Sequence, residues 1–175
     1  MSEAGVPVTM GTAFRMYVEA SATPVIISGI AVANTTSVAA TVTLSVTRLD
    51  GSPVATSQPR TLPASGQILG FLSDFFPSLP LPFQGVLRVT TTSSGVSVVA
   101  LRQRYNERGD YLITTTPPTL ETGTPTAAVR LFPHFANGGG YTTQFILFSG
   151  TTGQTSTGNL GFFQQSGAPL GVTVR

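Results

Sequence analysis

The sequence predicts an all-β protein: an antiparallel, Ig-like β-sandwich followed by a second, half-length β module. Three observations predict it. Apolar and hydroxyl residues alternate with a period of two, most cleanly over Ala40-Thr41-Val42-Thr43-Leu44-Ser45-Val46-Thr47. Gly- and Pro-bearing turns recur at short intervals, as in sandwiches and barrels. A shift of about 115 residues aligns the chain with itself.

The strands are expected at Phe14–Glu19, Val25–Ala33, Ala40–Arg48, Pro53–Gln58, Gln84–Thr91, Val96–Tyr105 and Tyr111–Thr116. Successive side chains of a strand point to opposite faces, so Val42, Leu44 and Val46 face a core while Thr41, Thr43, Ser45 and Thr47 face water. Leu49-Asp50-Gly51-Ser52-Pro53 closes a hairpin, because Asp-Gly supplies the positive φ of a tight turn. Val96 to Leu101 is apolar on both faces and reads as a central strand. Asn106-Glu107-Arg108-Gly109-Asp110 is a second turn, and Pro117-Pro118 ends the strand that follows it.

Ile68-Leu69-Gly70-Phe71-Leu72-Ser73-Asp74-Phe75-Phe76 departs from this period. Its apolar spacing is helical, and Pro77, Pro80 and Pro82 follow. One or two helical turns are expected to plug an open end of the sandwich, since rings of this size usually go inside. The competing reading is an exposed interaction surface of Phe71, Phe75 and Phe76, joined by Phe145 and Phe148.

The internal repeat places Arg15-Met16-Tyr17 on Arg130-Leu131-Phe132, and Ile30-Ala31-Val32-Ala33-Asn34 on Phe145-Ile146-Leu147-Phe148-Ser149. Asp50-Gly51-Ser52-Pro53-Val54 falls on Ser166-Gly167-Ala168-Pro169-Leu170 one inserted residue later. The expected organisation is a sandwich over 1–118, a Pro-, Thr- and Gly-rich linker over 119–127, and a half-module over 128–175. Residues 1–8 read as the last strand of a preceding copy. The half-module is expected to hold strands at Val129–Phe135, Tyr141–Phe148, Gly158–Gln164 and Leu170–Val174. So few strands cannot hide their apolar face alone. The first module, a longer parent protein or another copy of the chain must cover it, the last by strand addition or sheet packing.

Several runs carry a resemblance: Gly29-Ile30-Ala31-Val32-Ala33-Asn34, Pro82-Phe83-Gln84-Gly85-Val86-Leu87-Arg88-Val89, Leu101-Arg102-Gln103-Arg104-Tyr105-Asn106-Glu107-Arg108-Gly109-Asp110, and Phe132-Pro133-His134-Phe135-Ala136-Asn137-Gly138-Gly139-Gly140-Tyr141. Together they resemble a β-sandwich module near the C-terminus of large secreted or surface proteins of environmental bacteria. The resemblance covers nearly the whole chain. It implies a structural or adhesive role and carries over no catalytic residue.

Composition narrows the function. Of 175 residues, 41% are hydrophobic and only 9% charged, against about a quarter charged in ordinary soluble domains. The mean hydropathy is +0.25, which argues against disorder. Such a surface is built from hydroxyls, amides and backbone. It suits a chain that packs beside copies of itself or works outside the cell. Secretion or cell-surface display is expected, with any export signal upstream, because Met1-Ser2-Glu3-Ala4-Gly5 has neither a basic nor an apolar leader region. No run approaches the eighteen or so apolar residues of a membrane helix, so no membrane insertion is expected. All nine cationic residues are Arg, and they are dispersed apart from Arg102, Arg104 and Arg108. Nucleic-acid binding needs a grouped basic patch, so no nucleic-acid partner is expected.

The candidate chemistry is sparse. No Cys is present, which removes disulfides, thiolate nucleophiles and Cys-ligated zinc. His134 is the only His, so any triad or general base must use it. Placed between Phe132-Pro133 and Phe135, it reads as a packed or backbone-bonded residue. The carboxylates Glu3, Glu19, Asp50, Asp74, Glu107, Asp110 and Glu121 show no pairing by spacing, though strands could unite distant ones. Asn106, Glu107 and Asp110 have the oxygen chemistry of a weak calcium site. The plainer reading is a solvated turn in which Glu107 or Asp110 pairs with Arg104 or Arg108. Arg108-Gly109-Asp110 spells an integrin-recognised tripeptide at a hairpin tip. Gly138-Gly139-Gly140 lacks the Lys and following helix of a phosphate loop. Tyr105 and Tyr111 flank one turn and could form a small sugar platform, or simply pack across strands.

The expected function is a structural or interaction module of an exported bacterial surface protein, with itself or other surface-protein domains as partner. The alternative is a carbohydrate- or surface-binding module using Tyr105, Asn106, Arg108, Gly109, Asp110 and Tyr111, with a glycan as partner. A hydrolase is a distant third. No catalytic residue, metal or cofactor is assigned.

Overall fold

The computed structural model describes residues 8–121, 129–136, 138–140, 143–147, 149, 151 and 157–171. It is nearly all β: eleven antiparallel strands and one four-residue helix. The strands are β1 (Met10–Gly11), β2 (Ala13–Ala22), β3 (Val25–Asn34), β4 (Ala40–Arg48), β5 (Pro53–Thr56), β6 (Arg60–Leu62), β7 (Gln67–Phe71), β8 (Phe83–Thr91), β9 (Val96–Tyr105), β10 (Tyr111–Thr116) and β11 (Thr119–Leu120). The helix α1 is Leu72–Phe75.

Two sets of strands face one another in a sandwich-like arrangement. A front sheet runs β7-β3-β9, with β1 and β10 side by side on the far edge of β9. A back sheet runs β11-β2-β8-β4, with β5 and β6 sharing the far edge of β4. The sets join at one corner. Most of β2 pairs with β8, but its last residues, Ser21 and Ala22, pair with Ile26 and Val25 of β3.

Alternation built this core. On β2 the inward residues are Phe14, Met16 and Val18, on β4 Val42, Leu44 and Val46, and on β8 Leu87 and Val89, all fully or almost fully buried. The front sheet answers with Ile30 and Val32 of β3 and Val96, Val98 and Ala100 of β9. One position admits only glycine. A Cβ on Gly85 would sit 2.1 Å from the Thr47 carbonyl oxygen and 2.5 Å from the Phe83 ring, so β8 and β4 meet there backbone to backbone.

One end is closed by Asn34, which is 3% exposed. Its Nδ2 donates to the carbonyls of Val38 (2.8 Å) and Pro63 (3.0 Å), and its Oδ1 accepts from the Thr36 N–H (3.0 Å) and hydroxyl (2.8 Å). A buried amide so fully paired ties two loops together without an unsatisfied group.

The 68–76 segment differs from its helical expectation. Gln67–Phe71 is a strand paired with β3, and only Leu72–Phe75 is helical. Asp74 caps the turn, its Oδ2 accepting the Phe71 N–H at 2.7 Å. Leu72, Phe75 and Phe76 are buried at 1%, 5% and 4% exposure, so this turn does plug the core. The Arg60 guanidinium lies over the Phe75 ring at 4.8 Å.

The linker and half-module also differ from expectation. Thr119 and Leu120 pair with Arg15 and Phe14, so the start of the proposed linker belongs to the back sheet. Among the described residues beyond β11 no strand forms. An isolated bridge joins Phe163 with Pro169 around a turn in which Gly167 has φ +86°. The hairpin signal at Ser166-Gly167-Ala168-Pro169 was therefore sound. Expected positions at 1–7, 122–128, 141–142, 148 and 172–175 lie outside the described residues.

Candidate interaction surfaces

The turn after β9 is built by Asn106. Its Oδ1 accepts the N–H groups of Arg108 (3.0 Å) and Asp110 (2.8 Å), and its Nδ2 donates to Asp110 Oδ2 at 2.9 Å. Gly109 takes φ +81°, which only glycine adopts freely. The Asp110 carboxylate thus faces Asn106. Among the described residues no ion pair joins Glu107 or Asp110 to Arg104 or Arg108, contrary to the solvated-pair expectation. Tyr105 and Tyr111 are directly opposed in register, 5.3 Å apart with a 50° tilt. They are 52% and 43% exposed, and the Tyr111 hydroxyl donates to Gln103 Oε1 at 2.5 Å.

The strands do unite distant charges, but carboxylates with arginines rather than with each other. Glu121 accepts from Arg15 Nε (2.6 Å), Arg88 Nε (2.7 Å) and Arg88 Nη2 (2.8 Å), with its side chain 7% exposed. Arg15 and Arg88 are cross-strand partners, so their like charges would repel without Glu121 between them. These bonds hold the Arg88 pKa above its ordinary value. At the corner, Glu19 Oε2 accepts from Arg102 Nε at 2.7 Å and Oε1 from Gln84 Nε2 at 3.1 Å. The Glu19 backbone is held by the Ser28 hydroxyl, at 2.8 Å to both its N–H and its carbonyl. Tyr17 lies against this group, and its phenol is pushed up to about 12 by burial first and the Glu19 carboxylate second.

A cleft of about 740 Å³ opens beside Glu19, lined by Ser21, Pro24, Ile26, Arg48, Leu49, Asp50, Pro82, Phe83 and Gln84. Asp50 is occupied by its own turn, accepting from the Ser52 hydroxyl (2.6 Å) and N–H (2.8 Å). Those bonds lower its pKa, the hydroxyl first. His134 is exposed, outside any strand or helix, rather than packed between aromatic rings.

Of Phe71, Phe75, Phe76 and Phe145, only Phe71 is substantially exposed, at 44%. Phe75 and Phe76 face the core and cannot grip a partner. Phe148 lies outside the described residues. Phe145 packs against Phe132 (4.9 Å) and Phe162 (6.4 Å), and Phe135 against Phe162 (5.0 Å).

Register brings together a surface that the sequence reading missed. The outward row of β3 is Ile27, Gly29, Ala31 and Ala33. Across β7 lie Phe71 beside Gly29 and Leu69 beside Ala31. Across β9 lie Gln103, Leu101, Val99 and Ser97, and then Ile113 and Thr115 of β10. No outward position on these strands is charged, Leu69 is 68% exposed, and the small residues of β3 form a furrow between apolar ridges. The signal was present in two runs, Val25–Ala33 and Val96–Leu101, neither of which contains a charge on either face.

The segment beyond β11 lies on the back sheet. Gln144, Phe145, Ile146 and Leu147 enclose a small cavity of about 160 Å³ with Leu49 and Val86. The Ser149 carbonyl accepts from Arg15 Nη1 at 3.0 Å. Val86 occupies an outward position opposite Tyr17, yet it is 8% exposed. Among the described residues this segment adds a partial third layer to the back sheet.

No protein-family model matches the sequence, and no curated protein matches it. The fold is similar to the solved structure of Thermotoga maritima 1070, at 11% identity and a TM-score of 0.45 over 62% of this chain and 94% of that one. It is also similar to the Anabaena sensory rhodopsin transducer, at 19% identity and a TM-score of 0.40 over 57% of this chain and 89% of that one.

Proposed function

We propose that this chain is a structural, self-associating interaction module of an exported bacterial surface protein, and that the outward face of β7-β3-β9-β10 is its contact surface. The observation that carries this reading is the uncharged set of Ile27, Ala31, Leu69, Phe71, Val99 and Leu101 on one face. Monomeric proteins rarely leave so continuous an apolar sheet face in water. Sheets stack face to face about 10 Å apart, and the furrow along Gly29 and Ala31 leaves space for a partner's side chains. The low charge of the whole chain supports work outside the cell. The finer fold reading belongs to the same proposal: an Ig-like sandwich whose pattern is repeated beyond residue 128, as in the modules that the sequence resembles.

Sedimentation velocity over a concentration series tests it. The wild type is expected to associate as concentration rises. Ala31→Arg places a charge in the furrow without touching the core, and is expected to stay monomeric with an unchanged circular dichroism spectrum. A wild type that stays monomeric at high concentration refutes the proposal, as does an Ala31→Arg variant that associates equally well.

The second reading, glycan binding, rests on the exposed Tyr105–Tyr111 pair beside Gln103 and Asn106. Tilted aromatic rings beside amide groups form a platform for a sugar ring. Glycan-array binding that disappears on Tyr105→Ala supports it, and an array with no signal removes it.

A further inference from the structure

The edge of β2 that β11 covers is built like a binding groove. Thr119 and Leu120 pair with Arg15 and Phe14, and the Glu121 N–H donates to the Ala13 carbonyl at 2.9 Å. Two side chains of this short strand enter fitted places. Leu120 lies over Gly11, where a Cβ would run into the Leu120 methyl and would stand 3.6 Å from the Phe14 ring. Glu121 enters between Arg15 and Arg88, accepting from Arg15 Nε at 2.6 Å and from Arg88 Nε and Nη2 at 2.7 and 2.8 Å.

The groove belongs to the body of the fold and not to the strand that fills it. β2 is paired with β8 from Ala13 opposite Thr90 to Ala20 opposite Phe83, which fixes Arg15 opposite Arg88. Gly11 is held by β9 through Val96. This is the geometry of recognition by strand addition. Backbone bonds give attachment, and places for side chains on the two faces of the strand give selectivity.

The strand reaches the groove through a short hinge. β10 ends at Thr116 on the front sheet and β11 begins at Thr119 on the back sheet, so Pro117 and Pro118 alone carry the chain between the sheets. Each proline fixes its φ and holds the hinge extended. Short, stiff hinges disfavour closure onto the same copy and invite exchange with another. We infer that β11 is an exchangeable strand: the groove on β2 takes the Thr119–Glu121 strand of a second copy, and Leu120 and Glu121 are the side chains it reads. Exchange remakes the same contacts between copies, so no burial and no ion pair is given up. Charge selects the occupant, because two adjacent guanidinium groups demand a carboxylate. Reciprocal exchange closes a pair. This contact is separate from the front face, which lies on the other sheet.

Two full-length variants, both carrying Ala31→Arg so that the front face does not contribute, test the exchange. Glu121→Arg reverses the strand, and Arg15→Glu with Arg88→Glu reverses the groove. In each alone the strand is repelled from its own groove, and sedimentation velocity is expected to show a monomer. Mixed in equal amounts, each strand meets a groove of opposite charge, and a species of twice the monomer mass is expected. A mixture of folded variants that stays at monomer mass overturns the inference. A second measurement decides the matter where a charge-reversed variant fails to fold. A fluorescent, C-terminally amidated peptide of Thr116–Glu121 is titrated into full-length Glu121→Gln, whose own strand is held less tightly. Saturable binding is expected, weakened about tenfold when the peptide's glutamate is replaced by glutamine. No saturable binding, or binding that is indifferent to that replacement, overturns it. Association through the front face is decided separately, by the wild type against Ala31→Arg.

Discussion

On the back sheet the outward positions of β2 and β8 hold Arg15, Tyr17, Glu19, Gln84 and Arg88, and each charge meets a partner. On the front sheet the corresponding positions of β3 and β9 hold Gly29, Ala31, Val99 and Leu101. Both faces begin from the same alternation and enclose the same core. They differ in what their outer rows require. Charged rows are satisfied within the chain, through Glu121 and Arg102, whereas the apolar rows carry no group that needs an ionic partner. Few charges in a sequence therefore need not make a uniformly bland surface. Here Arg15, Glu19, Arg88 and Glu121 gather on the back face, and the outward rows of the front face hold no charge.

The largest effect is expected from breaking the back face. Glu121→Ala leaves Arg15 and Arg88 side by side and poorly solvated, which should cost about 3 kcal/mol. It should appear as a lower midpoint in urea, without any change in the slope of the transition. Glu121→Gln keeps the acceptor oxygen and should lose roughly half as much. Glu19→Ala strands Arg102, whose side chain is 27% exposed. Solvent screens part of that charge, so the expected cost is smaller, about 1.5 kcal/mol. A front-face substitution of the same kind should move stability by no more than about 0.5 kcal/mol. If Ala31→Arg destabilises the monomer as much as Glu121→Ala does, the outer rows of the two faces contribute equally to the fold and do not differ.

Much of the central fold was readable from sequence because its signals are local. Ala40–Arg48, Val96–Tyr105 and Tyr111–Thr116 have the expected limits, since alternation ends there in Asp-Gly, Gly-Asp or Pro-Pro. β7 was not readable. Leu69 and Phe71 point outward while Ile68 points inward, so the strand is apolar on both sides and imitates helical spacing. β1, β6 and β11 are too short to show any period. The ion pairs join residues 106 positions apart for Arg15 with Glu121 and 83 apart for Glu19 with Arg102, and only strand register could bring them together. The segment beyond β11 shows the reverse case. At Val129–Phe135 and Gly158–Gln164 the expected strands do not form, because alternation describes which sides a strand could bury and does not itself pair it with a neighbour.

The smallest expected effect sharpens the electrostatic half of the comparison. Tyr17 ionises at about 12 instead of its ordinary 10.0, because burial and the Glu19 carboxylate both oppose a second negative charge. Its folded pKa is raised, so the neutral phenol contributes stability that is fully present below pH 10 and is lost as pH rises toward about 12. Phenolate absorbance during a rapid alkaline titration should show one tyrosine ionising late. In Glu19→Gln the carboxylate charge is gone but the burial remains, and Arg102 is left nearby as a cation that favours phenolate. The late step should then move partway back toward the ordinary value. A titration unchanged by Glu19→Gln would mean that burial alone controls Tyr17, and that the corner cluster is packed without being electrostatically coupled.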